Sequence, residues 1–245
     1  MARRNEILMN TWEDFDHEAR TVDNVTKEQA PDCVQLLQDA VGLFGDAFSI
    51  ADNSNTTDAT LAKMCLLTQN FATLKCAVDL ALRGYYSQSM NLLRSVYENL
   101  IAILYLTKCP NKAPFWLRAR KNKQPPSNSA MLKKVSKDFN PLKGKMRKWY
   151  GTLCRFAHTG PMGVLPQIST NFVPDETSIN YGTTYKDDLF KASAYTISLW
   201  TAVMLAEISQ WIPNTKEWHN KRSLLEEKVL KFINEENKRF ESESK

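Results

Sequence analysis

The sequence is poor in the residues that break regular structure. Eight glycines and ten prolines in 245 residues cluster between long periodic stretches, which argues against a sandwich of short strands joined by tight turns. Histidine is scarcer still: three residues, with no HExxH or HxH pair among them, and the five cysteines form no CxxC or knuckle spacing. No metal centre is therefore expected. Walker, GxGxxG and GxSxG signatures are absent, so neither a nucleotide fold nor a serine hydrolase is indicated, and no cofactor is expected. The first twenty residues hold no apolar run of signal-peptide type. The uncharged apolar stretch of helical pattern, residues 192–206, is fifteen residues long. As a helix it would span roughly 22 Å, short of a ~30 Å hydrocarbon core, and so reads as a buried core helix rather than a membrane span. An odd number of cysteines without a secretion signal fits a reducing, cytoplasmic setting, and Cys65 and Cys76 read as small packing residues of one apolar helix.

What is present in quantity is helical periodicity. A hydrophobic fraction of 43%, with six tryptophans and eleven phenylalanines, is ample for one buried core. Apolar residues recur at steps of three and four over 26–50, again from about Asp58 to Leu82, and from about Ser87 to the residues before Pro110. Gly84 is placed to stop the second of these stretches, so it and the third form an antiparallel hairpin with a short connection. Two more helices, roughly 187–211 and 215–240, close the chain around Pro213. A further one around 142–157 ends at Gly160–Pro161. Residues 160–185, rich in Gly, Pro, Thr and Asn, read as a long loop insertion of the kind that serves as a lid or binding element, or as a surface excursion. The expectation is a single all-α domain over residues 1–245, an antiparallel helical bundle with a basic connector at 108–148.

That connector carries the chain's charge asymmetry. Between Lys108 and Lys148 there are thirteen lysines and arginines against the single Asp138. This local net of +12 in a chain of total +5 leaves −7 for the rest. Such a field suits RNA or another polyanion, with Lys133, Lys134, Lys143, Lys145, Arg147 and Lys148 as phosphate contacts. Tyr150, with Trp116, Phe139 and Trp149, offers rings on which unpaired bases could stack. The plainer alternative is a solvated connector that pairs with acidic parts of the same protein.

A second feature is the stretch NLLRSVYENL, residues 91–100. On a helix its polar positions Asn91, Arg94, Ser95 and Glu98 line one narrow stripe, continued by Ala102 and Tyr105, while the other directions are apolar. Arg94 and Glu98 stand four apart and can pair; a mostly buried, mutually satisfied pair is expected. Lys75, Asp79 and Glu207 are candidates for the same polar network. The network either fixes helix register or forms a site between facing helices. His158, at the end of a helix beside Arg155 and four residues after Cys154, is placed either to move protons or to cap terminal carbonyls.

LLRSVYENL, followed some sixty residues later by WYGTLCRFAH, resembles a group of bacterial helical proteins with an LLRSxxE-type helix and a later Y-x-x-L-x-x-x-x-H segment. Those in turn are similar to the broad HEPN class, many of whose members are metal-independent RNA-cleaving toxins or defence proteins. The resemblance implies His158 as the motif histidine, with Glu98 or Arg94 as the polar residue of the partnering helix. The class's motif places more residues between its arginine and histidine than the two separating Arg155 from His158, so Arg94 becomes the alternative cation. It also implies RNA as a partner, a homo-oligomer and a regulatory protein, and no membrane. The competing expectation is a non-catalytic, dimeric helical interaction module in which Arg94–Glu98 is purely structural.

Overall fold

The fold is all-α. The computed structural model describes residues 12–118 except 53 and 55, then 124–136, 151, 153, and 183–243 except 214. Within them the helices are α1 (Trp12–Gln29), α2 (Pro31–Ile50), α3 (Asp58–Leu82), α4 (Tyr86–Lys108), a short α5 (Pro114–Leu117), α6 (Asn128–Val135), α7 (Asp187–Ile208) and α8 (Lys216–Glu243). Single 3-10 turns precede α5 and follow α7. No strand occurs among the described residues. The long loop expected at 160–185 lies outside them, apart from its non-helical end at 183–185.

The expected single helix over 26–50 is two helices. Pro31 opens α2 at its first position, because it lacks the N–H that a continuous helix would use and forces the preceding residue out of helical geometry. Ala30 accordingly takes φ −136° and ψ 54°. The segment before the break, including the acidic WEDFDHE run, is helical too. It attaches to the bundle through Thr26, whose buried hydroxyl donates to the Val22 and Leu82 carbonyls (2.8 and 3.0 Å).

Helices α3 and α4 form the expected hairpin, and the chain shows why it turns where it does. Thr57 caps α3, its side chain accepting from the Thr60 N–H at 3.1 Å. At the other end Gly84 adopts φ +81°, and the Tyr85 and Gly84 N–H groups return to the Leu80 and Ala81 carbonyls. This left-handed ending consumes two of the orphan carbonyls of α3. Two polar ties then set the antiparallel register: Ser89 Oγ donates to the Ala77 carbonyl at 2.7 Å, and Asn99 Nδ2 donates to Asn70 Oδ1 at 2.8 Å.

Helix α7 packs against α2, α3, α4 and α8. With its 3-10 extension it is the one helix, among the described residues, long and apolar enough by composition to cross a membrane. Its contacts with four neighbours make it a core helix of the bundle, as its short uncharged stretch suggests. The Trp200 ring meets Tyr97 of α4 edge-on, with centroids 5.5 Å apart and planes at 88°. Leu153, within the helix expected over 142–157, is helical and buried in the same core.

Candidate functional site

The face of α4 turned towards α3 and α7 is apolar: Leu93, Val96, Leu100 and Ile103 are buried. The polar stripe lies beside it and is only partly covered. Arg94 Nε donates to Glu98 Oε1 at 3.0 Å, so the pair forms as its spacing requires, but the two side chains keep 31% and 29% of their exposure. The expected pair is thus formed, with most of each side chain covered but neither sealed from solvent. A stripe flanked by greasy positions need not be interior, because the helix can turn its apolar majority inwards and leave one edge partly open to solvent.

A cleft lies between α4 and α6. Ser127 caps α6, accepting from the Ala130 N–H at 3.3 Å, and Met131 and Val135 bury their side chains in the core. At the far end Lys108 Nζ donates to the Lys134 carbonyl (3.0 Å) and the Val135 carbonyl (3.4 Å). A lysine at this end meets the negative pole of the short helix. The C-termini of α4 and α6 therefore lie together, and the first turn of α6 points back towards the middle of α4. Between them is a cavity of about 210 Å³, floored by Tyr97, Ile101 and Leu132 and edged by Asn128, Ser129, Lys133 and Ser136. Arg94 and Glu98 belong to the same helix as this floor but are not among the residues that line the cavity.

Of the residues expected to form the site, Lys133 lines this cleft, while Arg94 and Glu98 pair with each other on the helix that floors it. Lys134 is exposed on the same short helix as Lys133 but does not line the cavity. His158, Arg155, Cys154, Lys143, Lys145, Arg147, Lys148 and Tyr150 lie outside the described residues, as do Phe139 and Trp149. Trp116 is half-buried against the core, its ring 6.2 Å from that of Tyr105. The polar network proposed around α4 is also smaller than expected. Lys75 and Asp79 are exposed on the outer face of α3, and Cys65 and Cys76 are exposed rather than packed. The apolar pattern of α3 is wide enough that two faces looked equally able to be inner ones.

Glu207 belongs to a different cluster. It faces Lys63, a residue that sequence reasoning missed, and Lys63 Nζ sits 4.9 Å from the centre of the Trp211 ring. Lys63 is 8% exposed. Burial lowers its ammonium and raises the Glu207 carboxyl, each partly offset by the other's charge. Asn70, fully buried at the meeting of α3, α4 and α7, was missed as well. Its one sequence signal is an amide in an otherwise apolar helix.

The α4–α6 cleft combines a lysine, small hydroxyl and amide groups and an apolar floor, and the helix that floors it also carries an arginine held by a carboxylate. This suits an anionic group carrying an apolar or planar portion. Among the described residues no group of three or more His, Cys, Asp or Glu could hold a metal ion. The chain defines a helical bundle with a cationic side cleft. Compared with known proteins, it matches no family model, no curated protein and no solved structure.

Proposed function

We propose that this chain is a cytoplasmic RNA-binding protein that cleaves single-stranded RNA without a metal ion. The observation supporting the reading is Lys133 on the wall of the α4–α6 cleft, within the stretch where the basic residues concentrate, with the Arg94–Glu98 pair on the helix that floors that cleft. The strand would lie along the basic segment, with a phosphate between Arg94 and Lys133. Glu98 holds the guanidinium in place, and Arg94 meets the charge that gathers on the phosphate oxygens. His158 takes the proton of the ribose 2′-hydroxyl as that oxygen attacks phosphorus and the bond to the 5′ oxygen breaks. The leaving oxygen is protonated in turn, leaving a cyclic phosphate and a 5′-hydroxyl. An imidazole titrating near neutrality suits both transfers.

The test is cleavage of labelled single-stranded RNA by purified protein, with and without chelator. His158→Ala should lower the rate by about 10²–10⁴-fold, the usual worth of general acid–base help. Binding should persist, falling steeply with salt because each neutralised phosphate releases counterions. Cleavage that His158→Ala leaves unchanged overturns the catalytic assignment. RNA binding without any cleavage leaves a non-catalytic binding module, a reading supported by the modest, structural-looking geometry of the Arg94–Glu98 pair.

A further inference from the structure

A larger groove, about 390 Å³, runs between α2 and α8 on a part of the bundle not formed by the α4–α6 cleft. Its floor is apolar, from Leu43 and Leu225, both nearly buried. On the α8 side Leu224 stands up with 55% of its surface exposed, and on the α2 side Gly42 leaves a hollow in which an added Cβ would meet nothing within 4 Å. The rim is charged by edge. Helix α2 supplies Asp39 and Asp46, and α8 supplies Lys221 and Lys228. Each pair is spaced seven residues, about 10.5 Å along a helix axis. The helices run antiparallel, since Lys228 pairs with Asp39 at 3.1 Å while Asp46 acts on Lys221 at the other end.

One face thus carries a knob and a hollow side by side, and an acidic edge and a basic edge of equal length. Such a surface is complementary to itself under a two-fold rotation. The charge pattern selects the axis. A two-fold perpendicular to the helices would lay α2 on α2, bringing Asp39 against Asp46. A two-fold parallel to them lays α2 on the α8 of the other copy. Asp39 then faces Lys228, Asp46 faces Lys221, and Leu224 enters the hollow at Gly42. We propose that this groove is the self-association face of the protein, occupied by a second copy of the chain with its two-fold axis along α2 and α8. The inference does not depend on the RNA reading. Desolvated charge pairs around a seated leucine give such a contact its register, and like-charge contacts exclude the alternative.

Sedimentation equilibrium of the full chain tests it. The wild type should run at twice the chain mass at micromolar concentration, and Gly42→Trp, whose added Cβ meets nothing within 4 Å and whose ring fills the hollow, at one chain mass with a helical spectrum and cooperative unfolding retained. Two charge variants carry the same test independently. Lys221→Glu/Lys228→Glu makes both edges acidic and Asp39→Lys/Asp46→Lys makes both basic, so each alone should be monomeric, while an equimolar mixture should form a mixed dimer. A wild type at one chain mass, a Gly42→Trp protein still at twice that mass, or a mixture that stays monomeric would each overturn the proposal.

Discussion

Glu98 and Asn99 are neighbours on α4, and they serve two different regions. Asn99 reaches into the hairpin and donates to Asn70, whose own amide lies 3.4 Å from the Val96 carbonyl and 3.1 Å from Met204 Sδ. One buried amide thereby ties α3, α4 and α7. Glu98 turns instead to Arg94 on its own helix, where nearly a third of each side chain still meets solvent. On the first side, polar groups are few and matched to the packing, and removing one strands a partner in the core. On the second, the ion pair has the geometry of surface pairs worth under ~1 kcal/mol. Stability alone therefore gives little reason for the charged pair on that side.

The hairpin end should be the most sensitive place in the molecule. A Cβ on Gly84 would lie 2.7 Å from the Thr184 carbonyl oxygen and 3.1 Å from Val22 Cγ1, at a backbone φ of +81°. Left-handed geometry costs an L-residue about 1–2 kcal/mol before any clash, so Gly84→Ala should lose roughly 2–4 kcal/mol in urea unfolding. RNA affinity of the folded fraction should be unchanged. Next comes Asn70→Ala, which leaves the Asn99 amide facing a cavity. The expected loss is about 2 kcal/mol, the usual cost of a stranded buried polar group. An Asn70→Leu/Asn99→Leu double variant should recover part of it. If Asn70→Ala unfolds no more easily than Arg94→Ala, the two sides of α4 are not different in the way described.

The cleft should show the opposite profile. Arg94→Ala and Lys133→Ala are expected to change stability by less than ~1 kcal/mol. Each should weaken RNA binding, and Lys133→Ala should reduce the slope of log affinity against log salt by about 1, as for one lost phosphate contact. Titrations at several salt concentrations, alongside urea melts of the same preparations, separate the two effects. A variant that loses stability and binding together would place the pair with the structural residues instead.

The contrast also explains what could be read in the sequence. Periodicity and one glycine located α3, α4 and their turn to within a residue or so, because Thr57, Gly84 and Pro110 impose local constraints that tertiary contacts do not override. The break at Pro31 obeys the same local chemistry, yet it was hidden by an apolar repeat that runs through it. Which side of a helix faces inwards was less legible. Arg94–Glu98 was legible as a pair, whereas the share of it that solvent still reaches depends on tertiary packing. Lys63 and Glu207 come from distant segments, and only the fold brings them together.

Their pairing gives the smallest of the expected effects and a definite sign. Burial raises the Glu207 carboxyl above its ordinary 4.5, so between 4.5 and the raised value the folded state holds more proton than the unfolded state. Stability should therefore fall as pH rises through that window. Burial lowers Lys63 below its ordinary 10.5, so the folded state holds less proton between the lowered value and 10.5, and stability should rise with pH there. Where both groups are charged, each carries part of its desolvation cost, offset by the other's charge and, for Lys63, by the Trp211 ring. Solvent still reaches Glu207, so the effect is modest. Replacing both residues, Lys63→Met with Glu207→Gln, should flatten the two slopes and raise neutral stability by up to about 1 kcal/mol. Lys63→Met alone should do the reverse: without the cation the carboxyl rises further, and the acid-side decline becomes steeper. Urea melts across the pH range for the parent, the single and the double variant decide it. A parent profile flat above 4.5, or a single variant as stable as the double, would show that the two charges do not oppose folding as their burial requires.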